Sequence, residues 1–173
     1  MKNFVSSHDL SKNVWSFKLP NYDQIPDVGL FLKQTCQFIN DSLAPFSVLH
    51  LTPSMISNYV KKGLIARPKK KRYSREQIAQ LLFIAIAKLV LPLEDLKVGL
   101  KIQNTTYTTE DAYLYLSEEL KNGLFYVFGL SDHLAAIGKT HTDEKKMLRN
   151  IILAVSHELY LIEYFAILRK KQL

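Results

Sequence analysis

Residues 57–75 carry eight basic side chains, Lys61, Lys62, Arg67, Lys69, Lys70, Lys71, Arg72 and Arg75, and no acidic one. Elsewhere fifteen basic residues face sixteen acidic ones, so this one segment accounts for the whole formal charge of +7. Dispersed lysines keep a protein soluble, whereas clustered ones create a local field that can neutralise several phosphates and release their counterions. A short two-faced helix is expected directly upstream, over residues 53–62. At 100° per residue Ile56, Tyr59 and Val60 fall on one side, and Ser54, Ser57, Asn58 and Lys61 share an arc of about 100° on the other. These side chains suit a nucleic acid duplex. An asparagine amide pairs with an adenine edge, serine hydroxyls bond phosphates or bases, and Lys61 and Lys62 neutralise backbone charge. Lys69, Lys70, Lys71 and Arg72 would hold flanking phosphates and set register rather than sequence, and Arg67 and Tyr73 complete the candidate DNA-binding set. The alternative for any basic run is a solvated surface, and the polar helix face beside this one weighs against it.

Catalytic chemistry has little to work with. His157-Glu158 begins a zinc-protease helix pattern, but Leu161 stands where the second histidine is required. The five histidines show no ligand spacing, no serine sits in a glycine-framed elbow, and six glycines form no phosphate loop. The sequence therefore predicts a protein that is not an enzyme, with no metal and no cofactor. Cys36 is the only cysteine, which excludes an intramolecular disulfide and suggests a reduced interior thiol. The amino-terminal stretch lacks a signal-peptide core, and no window approaches about 18 uncharged apolar residues, so the expectation is a cytoplasmic protein with no membrane partner.

The elements that would position these groups are mostly helical. Residues 1–26 read as an irregular lead-in, with Trp15, Phe17 and Leu19 folding back and Pro20 and Pro26 opposing helix. Asp27 offers a cap for a helix carrying Val28, Phe31, Leu32, Cys36, Ile39 and Leu43. Thr52-Pro53 starts the two-faced helix, since the hydroxyl caps and proline loses an amide that has no partner there. Gly63 stops it, and residues 66–73 suit a tight hairpin. Ser74 and Gln77 form a capping box, after which Ile78, Leu81, Leu82, Ala85, Ile86 and Leu89 mark a central buried helix. Pro92 ends or bends that helix, and residues 93–97 begin a short one before a polar loop at 103–106. Thr108 with Asp111, or Thr109 with Glu110 and Asp111, opens a helix reaching about Lys121, with Gly123 near its end. Residues 124–137 read as helical, 138–141 as loop, and Thr142 caps a long final helix. Leu148, Ile152, Val155, Leu159, Ile162 and Ala166 alternate steps of four and three along it, the mark of a helix lying along another helix.

The string LTPSMISNYVKKGLIARPKKKRYSREQIAQLLFIAIAKLVLPLEDLKVGL, residues 51–100, resembles the DNA-binding region of MerR-type regulators. Ile56, Tyr59, Gly63, Leu64, Pro68, Arg72, Tyr73 and Leu93 carry the likeness. It implies a recognition helix, a proline-started wing ending in arginine-tyrosine, a buried helix and a short amphipathic helix. Ser57, Asn58 and Val60 replace the arginine, tyrosine and glutamate usual in such recognition helices, so those contacts do not carry over. No cysteine cluster follows, which removes metal sensing. The whole chain also resembles a Gram-positive bacterial family termed domain of unknown function eighteen-thirty-six, whose core motif falls at residues 55–61.

The expected fold is all-α: a MerR-like winged helix-turn-helix over residues 27–101, with a small β wing possible, followed by a helical region over 108–173. The expected function is sequence-specific binding of double-stranded DNA as a homodimer that regulates transcription. The alternative is a helical protein-interaction module that binds no DNA. The long final helix could serve either a dimer or an intramolecular partner near Thr109. Tyr113, Tyr115, Phe125, Tyr126 and Phe128 are core candidates that could also line an effector pocket.

Overall fold

The computed structural model describes residues 5–138 and 142–172. It is mostly helical, with one two-stranded sheet, as the all-α expectation requires. Helix α1, Ser7–Ser16, replaces the irregular lead-in expected there. The Ser6 hydroxyl accepts from the Asp9 amide at 3.1 Å, and Leu10 and Val14, one turn apart, are buried. Phe17 packs edge-on to Phe46, and Leu19 is buried as expected. Trp15 meets the edge of Phe125 yet stays 65% exposed.

The Asp27-capped helix is also corrected. Gly29 holds φ +76°, a left-handed conformation that ends any helical path, and Leu30–Phe31 form strand β1 instead. Helix α2, Leu32–Ser42, starts only after it, which leaves Val28 77% exposed. A short loop leads to α3, Pro53–Lys61, where the Thr52 hydroxyl accepts from the Met55 amide at 3.2 Å and Pro53 takes the first position. Gly63, at φ +72°, closes it, with the Leu64 amide reaching back to the Tyr59 carbonyl at 2.9 Å.

Strand β2, Arg72–Tyr73, pairs antiparallel with β1, Leu30 opposite Tyr73 and Phe31 opposite Arg72. Lys69 bridges Arg72 on its other side. The Ser74–Gln77 capping box then opens α4, Arg75–Ala87, which is buried almost all round from Ile78 to Ala87. Helix α5, Leu93–Thr106, runs past the expected polar loop. Its last turn survives because the Thr105 and Thr106 hydroxyls donate to the Ile102 carbonyl and the Asn104 amide oxygen accepts from Gln80.

Helix α6, Thr109–Val127, is capped by Thr108, whose hydroxyl accepts from the Asp111 amide. Gly123 does not end it. A Cβ there would lie 2.9 Å from Ile152 Cγ2 and 3.1 Å from Ser156 Oγ, so this glycine admits the neighbouring helix. The helix stops at Gly129, φ +72°, with the Leu130 amide on the Phe125 carbonyl. Residues 131–138 are accordingly not helical, contrary to expectation. Of the loop expected at 138–141, only Gly138 lies within the described residues.

Thr142 caps α7, Asp143–Gln172, by accepting from the Lys145 amide at 3.3 Å. Its seam residues Ile152, Val155 and Leu159 are buried, chiefly against α6. The helix-on-helix expectation thus resolves to a partner within the chain for this seam. Among the described residues α7 is also the one helix long and apolar enough to cross a membrane by length and composition, although it is not the uncharged run that the sequence was expected to lack. Glu158 and Glu163 interrupt its apolar stretch. One cluster of buried hydrophobics runs from Leu10 to Leu159 and joins the seven helices of the described residues.

Candidate nucleic-acid interface

Helix α3 is anchored by its apolar side: Ile56 and Tyr59 are buried, and burial raises the Tyr59 phenol above its usual range. That anchoring turns Ser54, Ser57, Asn58 and Lys61 outward, and all four are exposed, as is Lys62. Among the described residues the Asn58 side-chain amide is uncommitted. The Ser57 hydroxyl donates to the Pro53 carbonyl at 2.9 Å, so it offers a ligand only its acceptor lone pairs.

The segment after Gly63 returns through buried Leu64 and Ile65, then comes to the surface. Gln77 fixes its course by donating to the Ala66 carbonyl at 2.7 Å. Arg67, Lys69, Lys70 and Lys71 are exposed. Lys70 and Lys71 occupy the two central positions of a turn closed by the Arg72 amide on the Lys69 carbonyl at 2.9 Å, and both have positive φ. The turn therefore lifts two ammonium-bearing side chains off the body of the protein.

Three basic or aromatic groups of the segment are used differently from the expectation. Arg72 folds back onto β1, donating to the Gly29 carbonyl at 3.1 Å with its guanidinium carbon 4.3 Å from the Phe31 ring centroid. Tyr73 is 4% exposed, and burial raises its phenol, so its ring belongs to the core. Arg75 donates to the carbonyls of Ile25 and Asp23 and lies 3.6 Å from Asp27. Six exposed cations remain, Lys61, Lys62, Arg67, Lys69, Lys70 and Lys71. Among the described residues none of them is paired with a carboxylate.

One neighbour went unseen in the sequence. Lys97 of α5 brings its ammonium to 3.9 Å from where a Gly63 Cβ would stand, beside the end of α3. It lies 34 residues downstream of Gly63 and outside the acid-free run, so only the packing of α5 could reveal it. Among the described residues no three His, Cys, Asp or Glu side chains gather as a metal site would need. Cys36 is buried, with its thiol against the Leu51 carbonyl and pushed up in pKa by that burial.

The arrangement can thus present a small polar helix face and six unpaired cations to a polyanion. A family model described as Domain of unknown function (DUF1836) matches residues 20–121. The match takes in the sheet, α2 to α5 and most of α6, while α1 and α7 lie outside it. No curated protein and no solved structure matches the chain.

Proposed function

The chain belongs to the DUF1836 family, and we propose that it is a MerR-like winged helix-turn-helix protein that binds double-stranded DNA and regulates transcription. In this reading α3 enters the major groove, Asn58 and Ser54 meet base edges, and Lys61 and Lys62 flank them on phosphates. The turn bearing Lys70 and Lys71 is the wing, and with Arg67 and Lys69 it grips the adjoining backbone. The observation that carries the reading is the set of six exposed cations without carboxylate partners beside an uncommitted Asn58. A surface built only for solubility would intersperse both signs. A cytoplasmic location goes with this function.

Two half-sites call for a homodimer, and the inner seam of α7 is already occupied by α6. The outer face of α7 is the available one: Leu161 and Phe165, one turn apart, are 47% and 51% exposed. Exposed Glu158 and Arg169 flank that row on one side, so an antiparallel second copy would set each glutamate against the other copy's arginine. The same face supports the second reading, a helical interaction module that binds another protein and no DNA.

A fluorescence-anisotropy titration of duplex DNA against salt separates the two. Six phosphate contacts per chain predict a slope of log affinity on log salt of about −5, falling by about 1.8 in Lys61→Ala/Lys70→Ala. Asn58→Ala should instead reduce discrimination between sequences and leave the slope alone. A flat salt dependence removes the phosphate reading and leaves the interaction module.

A further inference from the structure

The junction of α4, α5, α6 and α7 holds a solvent-open cavity of about 340 Å³ that the nucleic-acid reading does not use. Its volume falls within the range of about 300–1,000 Å³ typical of small-molecule sites. Phe83, Tyr107 and Tyr115 supply aromatic walls, and Leu148 and Ile151 close the apolar floor. Gly99 of α5 opens directly onto the space: a Cβ at that position would meet nothing within 4 Å. The lining is therefore apolar and aromatic, with charge confined to a few groups.

Those charges have a sign. Asp111, Glu118 and Glu144 line the cavity against one ammonium, Lys145, which lies 4.9 Å from the Tyr115 ring centroid. The first turns of α6 and α7 also border it, and each helix start contributes about half a positive charge. Two such ends leave about one negative charge in excess. Glu118 sits mid-helix, where no helix start offsets it. Asp111 and Glu118 are exposed at its mouth, so a ligand meets that negative excess as it enters.

We propose that this cavity is a binding site for a small organic monocation with an aromatic body, the ring stacked among Phe83, Tyr107 and Tyr115 and the ammonium directed to the carboxylates. Aromatic faces favour the same charge. The site stands independently of the nucleic-acid reading.

Isothermal titration of the full chain with 1-naphthylmethylamine and with 1-naphthylacetate compares one aromatic body under opposite charges. The amine is expected to bind at least 10-fold more tightly than the carboxylate. Gly99→Leu, which fills the space, should abolish binding while its thermal melt shows a folded protein. Glu118→Gln/Glu144→Gln keeps the shape and should weaken the amine about 10-fold and bring the two ligands together, which keeps the test open if Gly99→Leu does not fold. No heat from the amine at millimolar concentration, a preference for the carboxylate, or amine binding unchanged by these variants would overturn the proposal.

Discussion

Lys70 and Lys71 stand next to each other with φ of 49° and 64°, the only non-glycine residues of positive φ among those described. Two consecutive left-handed L-residues cost about 1–2 kcal/mol each, and asparagine and glycine are the usual occupants of such a turn. The chain carries two lysines there instead, at the apex of its acid-free run. Lys70→Asn/Lys71→Gly relieves the strain, and after glycine's added chain entropy is subtracted the variant should gain about 1 kcal/mol in urea unfolding. It should also lose two phosphate contacts, lowering the salt slope of DNA binding by about 1.8. A variant that is both stabler and equally tight on DNA would show that the turn was not shaped by phosphate contact.

Gly123 and Gly99 both sit inside helices, and their surroundings give opposite predictions. Glycine costs about 1 kcal/mol relative to alanine within a helix, so Gly99→Ala, with open space around its Cβ, should stabilise by about that much. Gly123→Ala gains the same propensity but drives a methyl to 2.9 Å from Ile152, which is 1% exposed and held in the core. Overpacking of that kind costs about 1–3 kcal/mol, so the net change should be a loss. Thermal melts of the two variants should shift in opposite directions.

That pair also explains how much of the molecule was legible in the sequence. Caps that act over three or four residues were readable: Thr52, Ser74 and Thr142 each accept from the amide three residues on, and Thr108 does so in preference to Thr109, the other cap the sequence offered. So was the buried helix α4, because its apolar residues leave no polar face. What could not be read depends on distant partners. Gly123 looks like a helix stop until Ile152 is placed against it, and Val28 looks like a core residue until β1 pairs with β2. Arg72 counted as a surface cation because nothing local points to Phe31, 41 residues upstream. The charged surface itself was visible as composition, whereas Lys97 and the cavity beside Gly99 arise only from the packing of α5.

The contact between α1 and α7 should respond to pH through Glu163. Its carboxyl is raised above its usual value, first by burial, while the amide of Asn13 donates to it at 2.9 Å and partly offsets that. A carboxyl with a raised folded-state pKa favours folding while protonated and loses that contribution as pH climbs through the folded value. The ionised form therefore weakens the helix pair at neutral pH. Glu163→Gln keeps an acceptor for Asn13 without the charge, so its melting temperature should exceed that of the parent at pH 7. The difference should vanish as pH falls below about 4.5, where both side chains are neutral. A gap that persists unchanged into acid would assign the effect to shape.

Glu119 on α6 is 1% exposed and accepts three hydrogen bonds from Arg149 on α7, the shortest at 2.8 Å. The same guanidinium donates to the Ala135 carbonyl, and Asn122 bonds both the amide and the carbonyl of that residue. The pair thus joins two helices and fastens the segment 131–138 between them. Arg149→Met strands a carboxylate in the core and should cost about 3–5 kcal/mol at neutral pH. Glu119→Met/Arg149→Met removes both charges and should recover most of that loss, since an apolar pair needs no solvation. In both variants hydrogen exchange at Ala135 should quicken, because its fastening to Arg149 is lost even where global stability returns.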